Sequence, residues 1–302
     1  MHDMLEPIQA PLSLRVAGAV GCGLTDLGLP VWPLEPDRIC AKARRRAGVT
    51  DLHTTPQVVE ALERLCRSAV EDAALTPLGR FAVYDMFCNA LSTRALWVAH
   101  KSDQPKRFET PLRAPLMVVG FPRSGTTLLH RLLALADDVR SLKTWEIQHP
   151  MRPLRGADRR RSQTARQIRA MNKIAPSFQL KHPMGPDDPE EDFWLLNTSL
   201  RSAAFYTFAP LLTYIEWHRE QDMTEPYGLW REMLSSFQAD TPDKRLVLKA
   251  PIHTAYLSEL RQAAPSFGVV QIWRDPVPVV GSLNSLLHTL HALVSNHRDP
   301  ME

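Results

Sequence analysis

VVGFPRSGTTLLHRLLALA, residues 118–136, is the stretch on which the reading of this chain turns. Its apolar start at Leu116–Val119 fits a buried parallel strand, and Leu128, Leu129, Leu132, Leu133 and Ala136 are spaced as the buried side of a following helix. Between them lies a glycine-bearing turn. Gly120, four residues and Gly125 match the spacing of a phosphate-binding loop, but Thr126 and Thr127 follow where a nucleotide triphosphatase places lysine and serine or threonine. Such a turn presents unpaired backbone N–H groups and the positive end of a helix dipole, which favour phosphate or sulfate. Ser124, Thr126 and Thr127 add hydroxyl donors, and Arg123 adds a cation.

Two more strand-to-helix units follow. Arg245–Lys249 precedes a helix expected over Thr254–Ala264, and Val269–Trp273 runs into Arg274-Asp275-Pro276 and another helix. Strands alternating with helices imply a parallel sheet with right-handed crossovers. The expected fold is α/β, a P-loop-type parallel sheet flanked by helices, over residues 111–302. A helical N-terminal region occupies 1–110. In that region Thr54-Thr55-Pro56 starts a helix whose buried face is Val58, Leu62, Leu65 and Val70. Residues 1–35 read as an extended lead-in, and the polar, proline-bearing stretch 101–114 as a linker. About 120 residues of helices and loops separate the first and second strands.

Phosphoryl transfer needs the loop lysine and a magnesium-holding aspartate at a strand end. Lys249 and Arg274 stand at those strand ends instead, which suits a ligand with separate anionic groups and no metal. Bulk properties exclude other classes. The 302 residues carry 36 basic and 33 acidic side chains, a net charge of +3 that does not indicate nucleic acid. The arginines at 44–46 and between 152 and 169 read as solvated surface. Cys22, Cys40, Cys66 and Cys88 form no CxxC pair, so neither zinc nor a disulfide framework is indicated. Arg15, Asp26 and Pro30 interrupt the apolar stretch from Leu14 to Trp32, so a signal peptide or membrane span is not expected. The expected location is cytoplasmic.

PRSGTT at 122–127 and WRDPVPVVGS at 273–282 together resemble the sulfotransferase family, over about residues 110–295. The resemblance implies 3′-phosphoadenosine 5′-phosphosulfate (PAPS) as co-substrate. It implies that Arg123, Ser124, Gly125, Thr126 and Thr127 bind the 5′-phosphosulfate, and Arg274 and Ser282 the 3′-phosphate. By the same analogy Lys249 meets the sulfate oxygens. The acceptor is a hydroxyl of a small molecule, lipid or sugar, and oligomeric state is left open.

For the general base the residues leave alternatives. Many family members carry a histidine two positions after the lysine, where this chain has Pro251; His253 stands two residues later. Glu146, in TWEIQHP, stands where other members, including tyrosylprotein sulfotransferases, use a glutamate after the loop helix. Glu146, Arg123 and Lys249 form the expected catalytic set. In KHPMGPDDPEEDFWLL, residues 181–196, His182, Asp187, Asp188, Glu190 and Glu191 are candidates to line the acceptor pocket. Asp188 with Pro189 and Glu191 also reads as a helix-start signature. Phe193, Trp194, Phe205, Tyr206 and Phe208 are expected in the core.

The family's C-terminal segment usually extends further beyond the arginine–serine motif, so a shortened member is also expected. Such a member would bind PAPS, its product or a protein partner without turnover. A P-loop phosphotransferase is a third reading, opposed by the missing lysine.

Overall fold

Met117, Val118 and Val119 are fully buried, the first two flanked by a neighbouring strand on both sides. They belong to β1 (Leu116–Gly120) in the computed structural model, which describes residues 31–296. Residues 1–30 of the lead-in expected over 1–35, with Cys22, and residues 297–302 lie outside the described residues.

Among the described residues four helices precede that strand, the first three being α1 (Pro36–Ala47), α2 (Pro56–Glu71) and α3 (Pro77–Asp103). Each carries proline in its first turn, where a missing N–H costs nothing. Thr55 caps α2 by accepting from Val58 N at 3.4 Å, and Thr76 caps α3 by accepting from Gly79 N at 2.9 Å. Val58, Leu62 and Leu65 are buried as expected, but Val70 is exposed. The buried stripe continues through Ala69 and Ala73, and Val70 lies about a quarter-turn away from it. The expected linker is partly helical: α3 reaches Asp103, and α4 (Pro105–Phe108) adds a turn that buries Phe108.

After β1 come α5 (Thr126–Leu133), β2 (Val139–Arg140), α6 (Thr144–Gln148), α7 (Arg160–Ile174) and α8 (Pro176–Lys181). A first 3-10 helix (Asp192–Ser199) leads to α9 (Ala204–Phe208), α10 (Leu212–Arg219) and α11 (Thr224–Gln238). The chain then forms β3 (Arg245–Lys249), a second 3-10 helix (Pro251–Ala255), α12 (Leu257–Ala263), β4 (Gly268–Ile272) and α13 (Pro276–Val294). The helix expected over Thr254–Ala264 is thus split in two.

The sheet is parallel in the order β2-β3-β1-β4. The two-residue β2 is too short to leave a periodic signal. Register places Val118 beside Lys249 and Gly120 beside Ile272. The loop leaving β1 therefore rises between the ends of β3 and β4, where ligands of parallel α/β sheets collect.

Two apolar cores flank this arrangement. One joins Ile39, Val58, Leu65 and Phe87 of the N-terminal helices to Phe205, Tyr214 and Leu290, so its packing crosses residue 110. The other lies against the sheet, with Met117, Leu246 and Leu248 packed on Tyr227, Trp230 and Leu234. Phe193 and Phe205 are buried as expected, while Trp194, Tyr206 and Phe208 are half-buried.

The loop helix departs from expectation. Its sheet-facing side is Thr126 and His130, whose Nε2 lies 3.1 Å from the Val247 carbonyl. Leu129 and Leu133 are half-buried, but Leu128 and Leu132 are 66% and 56% exposed, and Ala136 is exposed. Leucines occur all round this short helix, so their spacing does not identify the inner face. Trp273 and Val277 are also exposed, extending the apolar surface beside β4. The helix α13 is long and apolar enough to cross a membrane by length and composition, with a mean hydropathy of 1.3 in its best window. Its C-terminal half packs through Thr289, Leu290, Leu293 and Val294.

Leu248→Ala is expected to cost about 2–5 kcal/mol, because it opens a cavity in the sheet core. Leu128→Ser changes stability by no more than about 0.5 kcal/mol. Urea unfolding of both variants checks which side of the loop helix is buried; a large loss from Leu128→Ser would contradict it.

Candidate active site

Gly120 ends β1 where the chain must pass close to β4. It has φ 143°, and a Cβ there would stand 2.7 Å from the Ile272 carbonyl oxygen. Gly125 turns the chain into α5 with φ 108°. Between them Arg123 takes the left-handed region at φ 71°, a conformation that disfavours side chains. The result is a tight turn that delivers the N-terminus of the eight-residue α5 to the space between the ends of β3 and β4. The Ser124 hydroxyl is buried in it without a hydrogen-bond partner.

Residues expected from two distant motifs meet here. Arg123 Nε donates to Ser282 Oγ at 3.0 Å, and Arg123 Nη1 donates to the Lys181 carbonyl at 2.9 Å. Arg274 Nη1 donates to the Arg123 carbonyl at 3.2 Å. Lys181 was not singled out from the sequence. Its Nζ donates to Ser285 Oγ at 2.8 Å and Thr289 Oγ1 at 2.7 Å, on the helix that carries Ser282. Partial burial, with the nearby Arg123 charge, lowers the Lys181 pKa. All the hydrogen-bond partners of these three cations are neutral oxygens among the described residues. Three neighbouring positive groups so arranged favour an anion.

Lys249 approaches the loop from the other side. Its side chain is 1% exposed, with Nζ 2.5 Å from Glu191 Oε1 and 3.3 Å from Thr127 Oγ1. Its backbone N donates to Asp192 Oδ1 at 3.1 Å. Asp192 is fully buried, and its Oδ2 accepts from Trp230 Nε1 at 2.7 Å and pairs with His253 Nε2 at 2.8 Å. His253 Nδ1 is 2.7 Å from the Tyr227 hydroxyl. Burial opposes ionisation of Asp192, but the His253 charge and hydrogen bond, with that of Trp230, hold its pKa below the ordinary value.

The patch 181–196 is divided between these roles. Glu190 is buried with its Oε2 3.7 Å from His182 Nε2. Burial pushes its pKa up, yet His182 and Lys249 outweigh that and bring it down to about 2. Glu190 N donates to the Leu142 carbonyl at 3.1 Å, which ties this segment to the chain before α6. Asp188 does not cap a helix. Its Oδ2 accepts from Gly185 N at 2.8 Å and from Arg131 at 3.2 Å, closing a turn, and the helix starts four residues later. Asp187 pairs with Arg161 on the surface.

Two expected site residues are engaged in other contacts. His253 is fully enclosed by Asp192, Tyr227 and Trp230, so no acceptor reaches it. Glu146 has both carboxylate oxygens engaged: Arg140 Nη2 donates to Oε1 at 2.7 Å and Lys143 N to Oε2 at 3.0 Å. That bond to Lys143 closes the start of α6, as a carboxylate three residues past a helix cap does. Neither interaction joins Glu146 to the loop or to Lys249. Glu191, in contact with Lys249, stands at the loop instead. The acid-rich PEED at 189–192 was a signal for it, without indicating which carboxylate faces the loop.

A parallel α/β sheet carrying a lysine-free anion loop between two strand-end cations defines the class of protein. Residues 115–301 match the family model described as Sulfotransferase family, and the chain belongs to that family. Among solved structures it is similar to sulfotransferase STF9 from Mycobacterium avium, at 29% identity and TM-score 0.76, covering 86% of this chain and 68% of that one. It is also similar to sulfotransferase STF1 from Mycobacterium tuberculosis H37Rv, at 26% identity and TM-score 0.69, covering 85% and 75%. No curated protein sequence matches significantly.

Two outcomes test the geometry. Asp192→Ala is expected to destabilise by about 3–5 kcal/mol, since it leaves His253 and the Lys249 N–H without their buried partner; chemical denaturation measures it. Glu190 is held ionised well below its ordinary range, so its contribution is complete above about pH 4.5 and is lost as pH falls toward about 2. Glu190→Gln should flatten that part of the acid-stability profile, and an unchanged profile would contradict the pairing.

Proposed function

We propose that the protein transfers a sulfuryl group from PAPS to the hydroxyl of a small molecule, without a metal, in the cytoplasm. The observation that carries this reading is the junction of Arg123, Ser282 and Arg274, which gathers the two motifs around one cationic surface. The loop fits the nucleotide. Ser124 Oγ is buried and unpartnered, and Gly125 leaves the turn open to a close ligand, with no atom within 4 Å of where its Cβ would stand. Ser124, Thr126, Thr127 and the N–H groups opening α5 would hold the 5′-phosphosulfate, and Arg274 with Ser282 the 3′-phosphate. When bound, PAPS supplies the sulfuryl group and a phosphate leaving group.

Lys249 and Glu191 divide the chemical work. Lys249, lying against Thr127, offers its charge to developing negative charge at the loop. Turning toward the loop loosens its bond to Glu191, whose carboxylate then takes the acceptor's hydroxyl proton. Glu191 replaces Glu146 in this role because the Glu146 oxygens serve Arg140 and the start of α6. Glu190, paired with His182, orients Glu191 by accepting from Glu191 N at 2.8 Å through its Oε1. Asp188 contributes by shaping the turn.

A second reading, a member that binds the nucleotide or a protein partner without turnover, is favoured by the exposed apolar surface of Leu128, Trp273 and Val277 beside the loop.

Calorimetry with 3′-phosphoadenosine 5′-phosphate (PAP), ADP and magnesium-ATP tests the nucleotide. PAP should bind at least tenfold tighter than ADP without metal, and Arg274→Ala should remove that preference. Preference for magnesium-ATP overturns the reading. In radiolabelled sulfuryl transfer to a hydroxyl panel, Glu191→Gln should lower kcat by about 10²–10⁴-fold, while Glu146→Gln chiefly lowers stability. PAP binding without turnover on any acceptor would favour the second reading.

A further inference from the structure

The arginine-rich stretch leading into and along α7 takes no part in the site, and the structure sorts its members. Residues 152–173 hold eight basic side chains and one acidic, so in a chain of net charge +3 the remainder is net negative. Arg160 is buried and paired with Asp158 at 2.9 Å, and Arg161 is paired with Asp187 at 2.5 Å. Arg155, Arg159, Arg166, Arg169 and Lys173 are exposed, and none of them has an acidic partner among the described residues.

Helix periodicity aligns four of these cations. At ~3.6 residues per turn, Arg166, Arg169 and Lys173 lie within about 80° of the N-cap residue Arg159. They stand opposite Thr164 and Ile168, the side that α7 buries. The stripe is about 21 Å long at ~1.5 Å per residue. Two exposed leucines bound it in sequence: Leu154, 42% exposed, before α7, and Leu180, 87% exposed, on α8. Leu180 precedes Lys181, whose carbonyl holds Arg123, so this end of the segment reaches the loop.

Unpaired positive charge calls for an anionic partner, and the neighbouring residue types narrow its kind. No aromatic side chain lies between residues 152 and 174, so the stripe has no stacking platform for single-stranded nucleic acid. Exposed leucines gain nothing against a phosphate backbone. At a bilayer they enter the headgroup region while the cations meet lipid phosphates. We propose that the outer face of α7, with Leu154 and Leu180, docks on an anionic phospholipid surface, and that the protein binds there peripherally. This docking needs neither nucleotide nor acceptor, so it stands apart from the sulfotransferase reading.

The test is flotation of the full chain with phosphatidylglycerol vesicles and with phosphatidylcholine vesicles, beside binding of heparin and duplex DNA. Phosphatidylglycerol is expected to bind about tenfold tighter or more, with an affinity that falls steeply as ionic strength rises. Arg166→Gln with Arg169→Gln should weaken that binding about tenfold or more. Arg231→Gln with Arg261→Gln removes the same charge from exposed positions on α11 and α12 and should leave it unchanged. Leu180→Ser should weaken vesicle binding several-fold while heparin binding stays constant. Thermal melting of each variant confirms that it is folded. Equal binding to the two lipids, equal effects of the two charge pairs, or tight binding of heparin and DNA without vesicle binding overturns the proposal. Vesicle binding with the expected pattern but no PAP binding upholds the docking face and removes the PAPS reading.

Discussion

A single carboxylate, Asp192, holds three parts of the structure in register. Burying it removes strong hydration, and only a full set of donors compensates for that. Lys249 N, Trp230 Nε1 and His253 Nε2 supply the set from β3, α11 and the second 3-10 helix. The end of β3 is thereby fixed against the helical layer. The adjacent residue in each direction inherits the precision: Lys249 on the strand and Glu191 before the helix face each other at 2.5 Å. The buried Asp192 cluster and the Lys249–Glu191 ion pair thus share one short segment of chain.

The other side of the loop is organised by donors that meet no acid among the described residues. Arg123 reaches Ser282 and the Lys181 carbonyl, and Arg274 reaches back to Arg123, so the charges stand together with only neutral oxygens as partners among the described residues. Such a surface is poised for an external anion, and its backbone donors need no rearrangement when one arrives. The sheet order explains the convergence. Because β1 lies between β3 and β4, side chains far apart in sequence arrive at one turn.

What the sequence disclosed follows from how local each signal is. The strand–turn–helix unit at 116–133 was legible because an apolar run, two glycines and hydroxyls lie within a few residues. The start of α2 was equally legible from Thr55-Pro56, whereas the family motifs paired Ser282 with Arg274 and did not disclose its bond to Arg123. Less local matters were not legible. The role of Glu146 is set by Arg140, whose guanidinium also packs on Phe237 at 5.6 Å, a contact that spacing does not encode. His253 stands two residues past the motif position, but the fold encloses it behind Asp192. In α5 the inner face is chosen by a histidine bonding the sheet, against a pattern of leucines on every side. Asp188 and Pro189 have the residue types of a helix start, yet Pro189 bridges to Lys143 and the helix waits until Asp192.

The backbone at Arg123 has a consequence for how the protein can change. A side chain in the left-handed region carries a penalty of roughly 1–3 kcal/mol, and Arg123 sits there at φ 71°. Glycine at that position would relax the turn and withdraw the guanidinium that latches Ser282 and Lys181. Heat resistance and ligand capture are therefore opposed at this one residue. A variant selected for robustness alone is expected to lose the latch.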